Sequence, residues 1–247
     1  MDQKEYVVVG DKKYFIKTNY YTPGTESQRN PGKQLELRKL HISDIREIKG
    51  LERITELKAL NLSENFIKKL EGLEALTVLE KLIVVKNEIE AINGLEKLTK
   101  LDTLNLLSNK ISKIKSLDTL TNLRSLDLTS NRISKLEGLD NLNKLEYLYL
   151  TGNKIEVIEN LEALANLREL CLDYNKIRRI PKLIYPPNLE KVYLNDNPID
   201  NPRELENLGK VIIVMEDDSK YFALEDKFYI EEAYTGLIYL TNKDFWS

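Results

Sequence analysis

Asparagine recurs at a fixed interval. Asn65, Asn87, Asn109, Asn131, Asn153, Asn175 and Asn197 are evenly spaced, and they define a 22-residue period. Each stands in the frame L-x-x-L-x-L-x-x-N-x-I/L, and the cleanest copies are Leu101–Ile111 and Leu123–Ile133. A fixed period in this range marks a solenoid, in which each coil is too small to bury its own apolar residues.

The first half of the frame alternates. In one copy Leu126 and Leu128 point one way while Ser125, Asp127 and Thr129 point the other, the period of a short strand. The chain must then turn at Asn131. An asparagine side chain carries two N–H donors and an acceptor, so it can pair the backbone groups that a buried turn orphans. The second half places Ile133, Leu136, Leu139 and Leu142 three apart, which predicts a 3₁₀ or short α-helical return on the outer face. Gly50, Gly72, Gly94 and Gly138, with Ser116 and Asn160 in equivalent places, suit a tight bend with positive φ.

This frame resembles the 22-residue class of leucine-rich repeats, which includes the leucine-rich regulatory subunit of protein phosphatase 1 and the bacterial internalins. The resemblance spans residues 35–210. It implies an α/β repeat solenoid, a horseshoe with a parallel concave sheet, eight 22-residue coils and capped ends. A fold of this kind hosts many unrelated partners, so function must be argued from its surface.

The ends depart from the frame. Residues 1–34 read as an N-terminal unit, with strands at Tyr6–Val9 and Tyr14–Lys17 around Gly10-Asp11, then an irregular link from Asn19 to Lys33. The hairpin is the candidate cover for the first coil. Counting back one period makes Leu35–Thr55 a worn first repeat, with Arg38 in a leucine position and Ser43 in the asparagine position. In the sixth coil Pro181, Pro186 and Pro187 predict an extended return. Asn201 and Pro202 predict a capped short helix. Val211 and Val214 extend the strand frame, Glu216–Ser219 suggests a hairpin turn and Thr235-Gly236 another, so residues 211–247 read as a β-rich C-terminal cap.

Chemistry is scarce. The phosphate-loop, dinucleotide, zinc-protease and nucleophile-elbow signatures are absent from the sequence. His41 and Cys171 are the only His and Cys, six coils and roughly 29 Å apart at one strand spacing per coil. No catalytic residue, metal or cofactor is therefore expected. The formal charge of −3 gives no basic surplus for nucleic acid. A single cysteine, the absence of a long apolar run and a charged N-terminus point to a protein in the cytoplasm, away from membranes, and a monomer is expected.

What remains is surface. No tyrosine occurs between Tyr21 and Tyr147; then Tyr147, Tyr149, Tyr174 and Tyr193 fall on concave or edge positions of adjacent coils. Asp127, Glu169, Asp173 and Lys191 lie among them, with Glu146, Glu190 and Asp196 set against Arg124 and Arg168. Tyrosine suits strands in general, yet it also concentrates at interface hot spots. The expectation is a scaffold that binds a protein bearing a basic patch. A phosphatase-type regulatory subunit and an internalin-type surface adhesin are the alternatives. Ile83, Val85 and Leu107 form a second, apolar patch.

Overall fold

The computed structural model describes residues 5–20, 30–209, 211–216 and 237–240. Strands β1 (Tyr6–Val9) and β2 (Lys12–Phe15) form a hairpin. Strands β3 (Lys17–Tyr20) and β4 (Asn30–Glu36) open the main sheet. Seven strands then follow, one per coil: β5 (Leu57–Asn61), β6 (Lys81–Ile83), β7 (Thr103–Asn105), β8 (Ser125–Asp127), β9 (Tyr147–Tyr149), β10 (Glu169–Cys171) and β11 (Lys191–Tyr193). Strands β12 (Ile212–Glu216) and β13 (Leu237–Leu240) close the sheet. Neighbours from β4 to β12 pair parallel, while β3 and β13 pair antiparallel at the two edges.

Each regular strand is short, and only its middle residue faces inward. Leu104, Leu126, Leu148 and Leu170 are fully buried between half-buried neighbours. The inward leucines and isoleucines of every coil join one continuous core. Strands stack at about 4.8 Å while the return side carries bulkier turns, so the stack curves with the sheet inside.

The asparagines do what the spacing demands. Asn131 Nδ2 donates to the carbonyls of Leu106 and Leu128 at 3.0 Å, and its Oδ1 accepts from the Ile111 N–H at 3.0 Å. Leu106 and Ile111 belong to the preceding coil. The pattern repeats at Asn87, Asn109, Asn153, Asn175 and Asn197. The bend residues Gly72, Gly94, Gly138, Ser116 and Asn160 all have positive φ.

Several expectations need correction. The regular returns are not runs of helix: they are isolated turns closed by i→i+3 bonds, such as Leu120 N–H to Leu117 O at 2.9 Å and Leu123 N–H to Leu120 O at 3.0 Å. A leucine needed in the core at every third position keeps the chain flat against it. The first coil is longer than the regular period: Leu35 pairs with Leu60, where even spacing would set it against Leu57. Leu35 and Leu37 therefore fill the core, while Arg38 points outward to Glu64 at 2.6 Å and Ser43 is no asparagine substitute. Asn65 alone serves that coil, accepting from the Leu40 and Ile42 N–H groups. The last step is one position short of the period, so Ile213 rather than Val214 registers with Val192.

At the N-terminus the second hairpin strand is Lys12–Phe15, and Lys17–Tyr20 and Asn30–Glu36 are strands where an irregular link was expected. The hairpin does cover the first coil: Val8 and Lys49 exchange N–H···O bonds at 2.9 Å, and Val7 is fully buried. The sixth return holds no helix, it closes on a turn from Leu189 N–H to Pro186 O at 3.1 Å, and it leaves Leu183 37% and Ile184 82% exposed. Pro202–Leu208 is a 3₁₀ helix, and the Asn201 side chain accepts from Arg203 N–H. Of the hairpin turn suggested at Glu216–Ser219, only Glu216, the last residue of β12, is among the described residues. Residues 217–236, including the turn expected at Thr235-Gly236, lie outside the described residues.

Replacing Asn131 by Leu orphans three buried backbone groups and is expected to cost about 3 kcal/mol or more. Urea unfolding followed by circular dichroism would measure it, with Asn197→Leu, at a half-buried end position, costing less. Gly138 has φ +66° and its Cβ would lie 2.5 Å from Ile114 O, whereas Gly10 at φ +57° has nothing within 4 Å. Both alanine variants incur a left-handed strain of about 1–2 kcal/mol. Only Gly138→Ala should add a clash and lose clearly more in the same unfolding assay.

Candidate functional site

The sheet brings all the expected site residues but one together on its concave face. Tyr147, Glu169 and Lys191 register side by side across β9, β10 and β11. Asp127, Tyr149, Cys171 and Tyr193 form the next row. Asp173 lies two positions beyond Cys171, on the same face. All are half-buried, because each side chain leans on its neighbours one strand away. Tyr174 differs. It sits just beyond the strand at φ 53°, in the tight turn before Asn175, and is 59% exposed. It therefore belongs to the rim and not to the concave floor.

Charge on this face is arranged pairwise. Lys191 Nζ lies 3.5 Å from Glu169 Oε1. Asp127 accepts from Thr129 N–H and from Asn105 Nδ2, both at 3.0 Å. Asp173 Oδ1 accepts from the backbone and side-chain nitrogens of Asn195, both at 2.8 Å. Asn105 and Asn195 were not singled out in the sequence. The signal was present: each is an amide one period away from an aspartate in the same frame position. Glu146 and Glu190 contribute little to the concave field, since Arg124 and Arg168 hold them at 2.6 Å and 2.8 Å just before the strands begin. Asp196 is exposed at the rim with φ 53°. The concave acidity thus comes from Asp127, Glu169 and Asp173 against Lys191.

Burial pushes the Cys171 thiol up to about 12, and the carboxylates of Asp173, Glu169 and Asp127 act the same way. Burial likewise pushes Tyr149 up to about 12. Both groups are neutral at physiological pH, so the middle of the patch is an uncharged floor. The second patch, Ile83, Val85 and Leu107, is half-buried on β6 and in the segments after β6 and β7. Among the described residues no group of three His, Cys, Asp or Glu side chains is arranged to hold a metal ion, and no helix is long and apolar enough to cross a membrane.

With this geometry in place, likeness to known proteins is informative. Residues 121–166 and 143–185 match the family model for leucine-rich repeats in two copies. Internalin C2 from Listeria monocytogenes is 31% identical with a TM-score of 0.64, over 74% of this chain and 80% of that one. An internalin (inlF) from the same organism is 27% identical with a TM-score of 0.62, over 73% of this chain and 52% of the other. A leucine-rich repeat protein from Leptospira interrogans is 25% identical with a TM-score of 0.56, over 72% and 52%. The chain thus spans only about half the length of two of these three structures. No curated protein matches the sequence. The chain belongs to the leucine-rich repeat family. Fold and neighbours together support a protein–protein interaction module.

The raised thiol predicts a reactivity profile. Thiolate is the nucleophile, so Cys171 should alkylate far more slowly than free cysteine at pH 8 and accelerate only at strongly alkaline pH. Because it is the one cysteine, mass spectrometry after iodoacetamide reads it directly, and urea should restore the ordinary rate.

Proposed function

We propose that this chain is a non-catalytic scaffold that binds a partner protein on the concave face of β9–β11. Tyr147, Tyr149 and Tyr193 supply the contact floor and Tyr174 the rim. The observation that carries the reading is that, from β5 to β11, concave tyrosines occur only on β9 and β11, on either side of β10. The core frame needs only the inward side chains of Leu148, Leu170 and Val192 there, so nothing internal requires aromatic rings on the outer positions. Tyrosine gives large, rigid contact area with a polar tip.

The concave carboxylates of Asp127, Glu169 and Asp173 outnumber Lys191, which favours a partner presenting a basic patch and disfavours nucleic acid. A monomer in a reducing, cytoplasmic setting is consistent with a lone, protonated Cys171. A regulatory subunit of a phosphatase or another signalling enzyme is the case in which the partner is itself an enzyme. The likeness to two internalins favours a second reading, an exported surface adhesin, which cell fractionation separates from the first.

Affinity capture from the native source tests the site. The variant with Tyr147, Tyr149, Tyr174 and Tyr193 changed to Ser should stay folded by circular dichroism, because none of the four is a core residue. It should lose the captured partner, by at least tenfold in yield if hot spots sit there. Capture by wild type should also weaken with added salt, through slower association. A partner retained in full by the variant places the site elsewhere.

A further inference from the structure

Along the central concave row from β5 to β11, Cys171 is the smallest side chain, and it stands between the only two aromatic ones. It registers with Tyr149 on one side and Tyr193 on the other. Strands lie roughly 4.8 Å apart, so the two ring-bearing positions are about 9.6 Å apart with a short thiol as floor between them. A group midway stands about 4.8 Å from either flanking strand, a spacing compatible with the ~6 Å reach of a cation over an aromatic face.

Resting on the concave-face reading, we propose that this slot receives an arginine side chain of the partner. Its guanidinium lies between Tyr149 and Tyr193 above Cys171, with Asp173 two residues beyond Cys171 and Asp127 one strand past Tyr149. Three features select that group. A tyrosine on either side suits a planar cation, which stacks on aromatic rings better than a compact ammonium does. The two aspartates are held in place by Asn105 and Asn195, so little side-chain freedom is lost when they accept a guanidinium. A carboxylate has about four lone-pair sites, so one that already accepts from an amide can also accept from a forked donor. An aromatic or acidic insert would leave the carboxylates unmatched or repelled.

The test uses the intact chain, isotope-labelled for NMR, and three capped pentapeptides: Gly-Ser-Arg-Ser-Gly and its citrulline and lysine versions. Citrulline keeps the shape of arginine and removes the charge. The arginine peptide should give saturable shifts confined to β9–β11, about tenfold tighter than citrulline and tighter than lysine. Cys171→Leu fills the slot and should weaken the arginine peptide at least fivefold with an unchanged circular dichroism spectrum. No saturation by roughly 20 mM, equal binding of arginine and citrulline, or full binding by Cys171→Leu overturns the slot. Partner capture separates the two levels: loss by the four-tyrosine variant alongside any of those results leaves the concave face standing without the slot. Retention by the four-tyrosine variant removes both.

Discussion

Every coil of this protein depends on an asparagine that is shared with its neighbour. The turn after each strand leaves backbone N–H and C=O groups inside the molecule, out of reach of water. One side chain pairs them, and it reaches into the preceding coil to do so: Asn153 bonds Leu128 O and Ile133 N–H, both one coil back. A coil is therefore incomplete without the next one. The same dependence holds for the leucines, which have no core until coils stack. Folding and assembly of the repeats are thus one process, and the concave sheet is its by-product: a row of outward positions that the core does not constrain.

Much of this was legible because the constraint is periodic. The asparagines, the buried leucines and the positive-φ bends all fall where the 22-residue frame puts them. What was not legible lies where the period breaks. In the first coil an insertion shifts the strand, so Leu35 and Leu37, not Arg38 and Leu40, meet Leu60 and Leu62 across the sheet. A frame counted back from Leu57 cannot see an insertion that the hairpin and Asn65 absorb. The helical look of the returns misled for a related reason. Three-residue spacing is shared by a 3₁₀ helix and by separate turns, and only packing against the neighbouring coil decides between them. The prolines of the sixth return keep helix out of it, and its exposed Leu183 and Ile184 occupy a stretch that is otherwise given to core leucines.

The candidate site was legible as composition and not as mechanism. Tyr147, Tyr149 and Tyr193 stand out because the frame has no use for them. Tyr174 groups with them by sequence, and backbone geometry moves it to the rim. The hydrogen bonds that fix Asp127 and Asp173 join residues one full coil apart, so they appear only when the repeat frame is read across the sheet as well as along the chain. The ion pairs of Arg124 and Arg168 with glutamates before the strands show the same cross-coil logic, and they withdraw those charges from the concave field.

The central claim, that function sits on the concave face of β9–β11, is tested most directly by photo-crosslinking in the native cell. Benzoylphenylalanine would replace Tyr149 on the concave floor in one strain and the exposed convex Lys135 in another. A single protein crosslinked from position 149 and absent from position 135 is the predicted result. Crosslinking of a protein from position 135 with none from position 149 would contradict it.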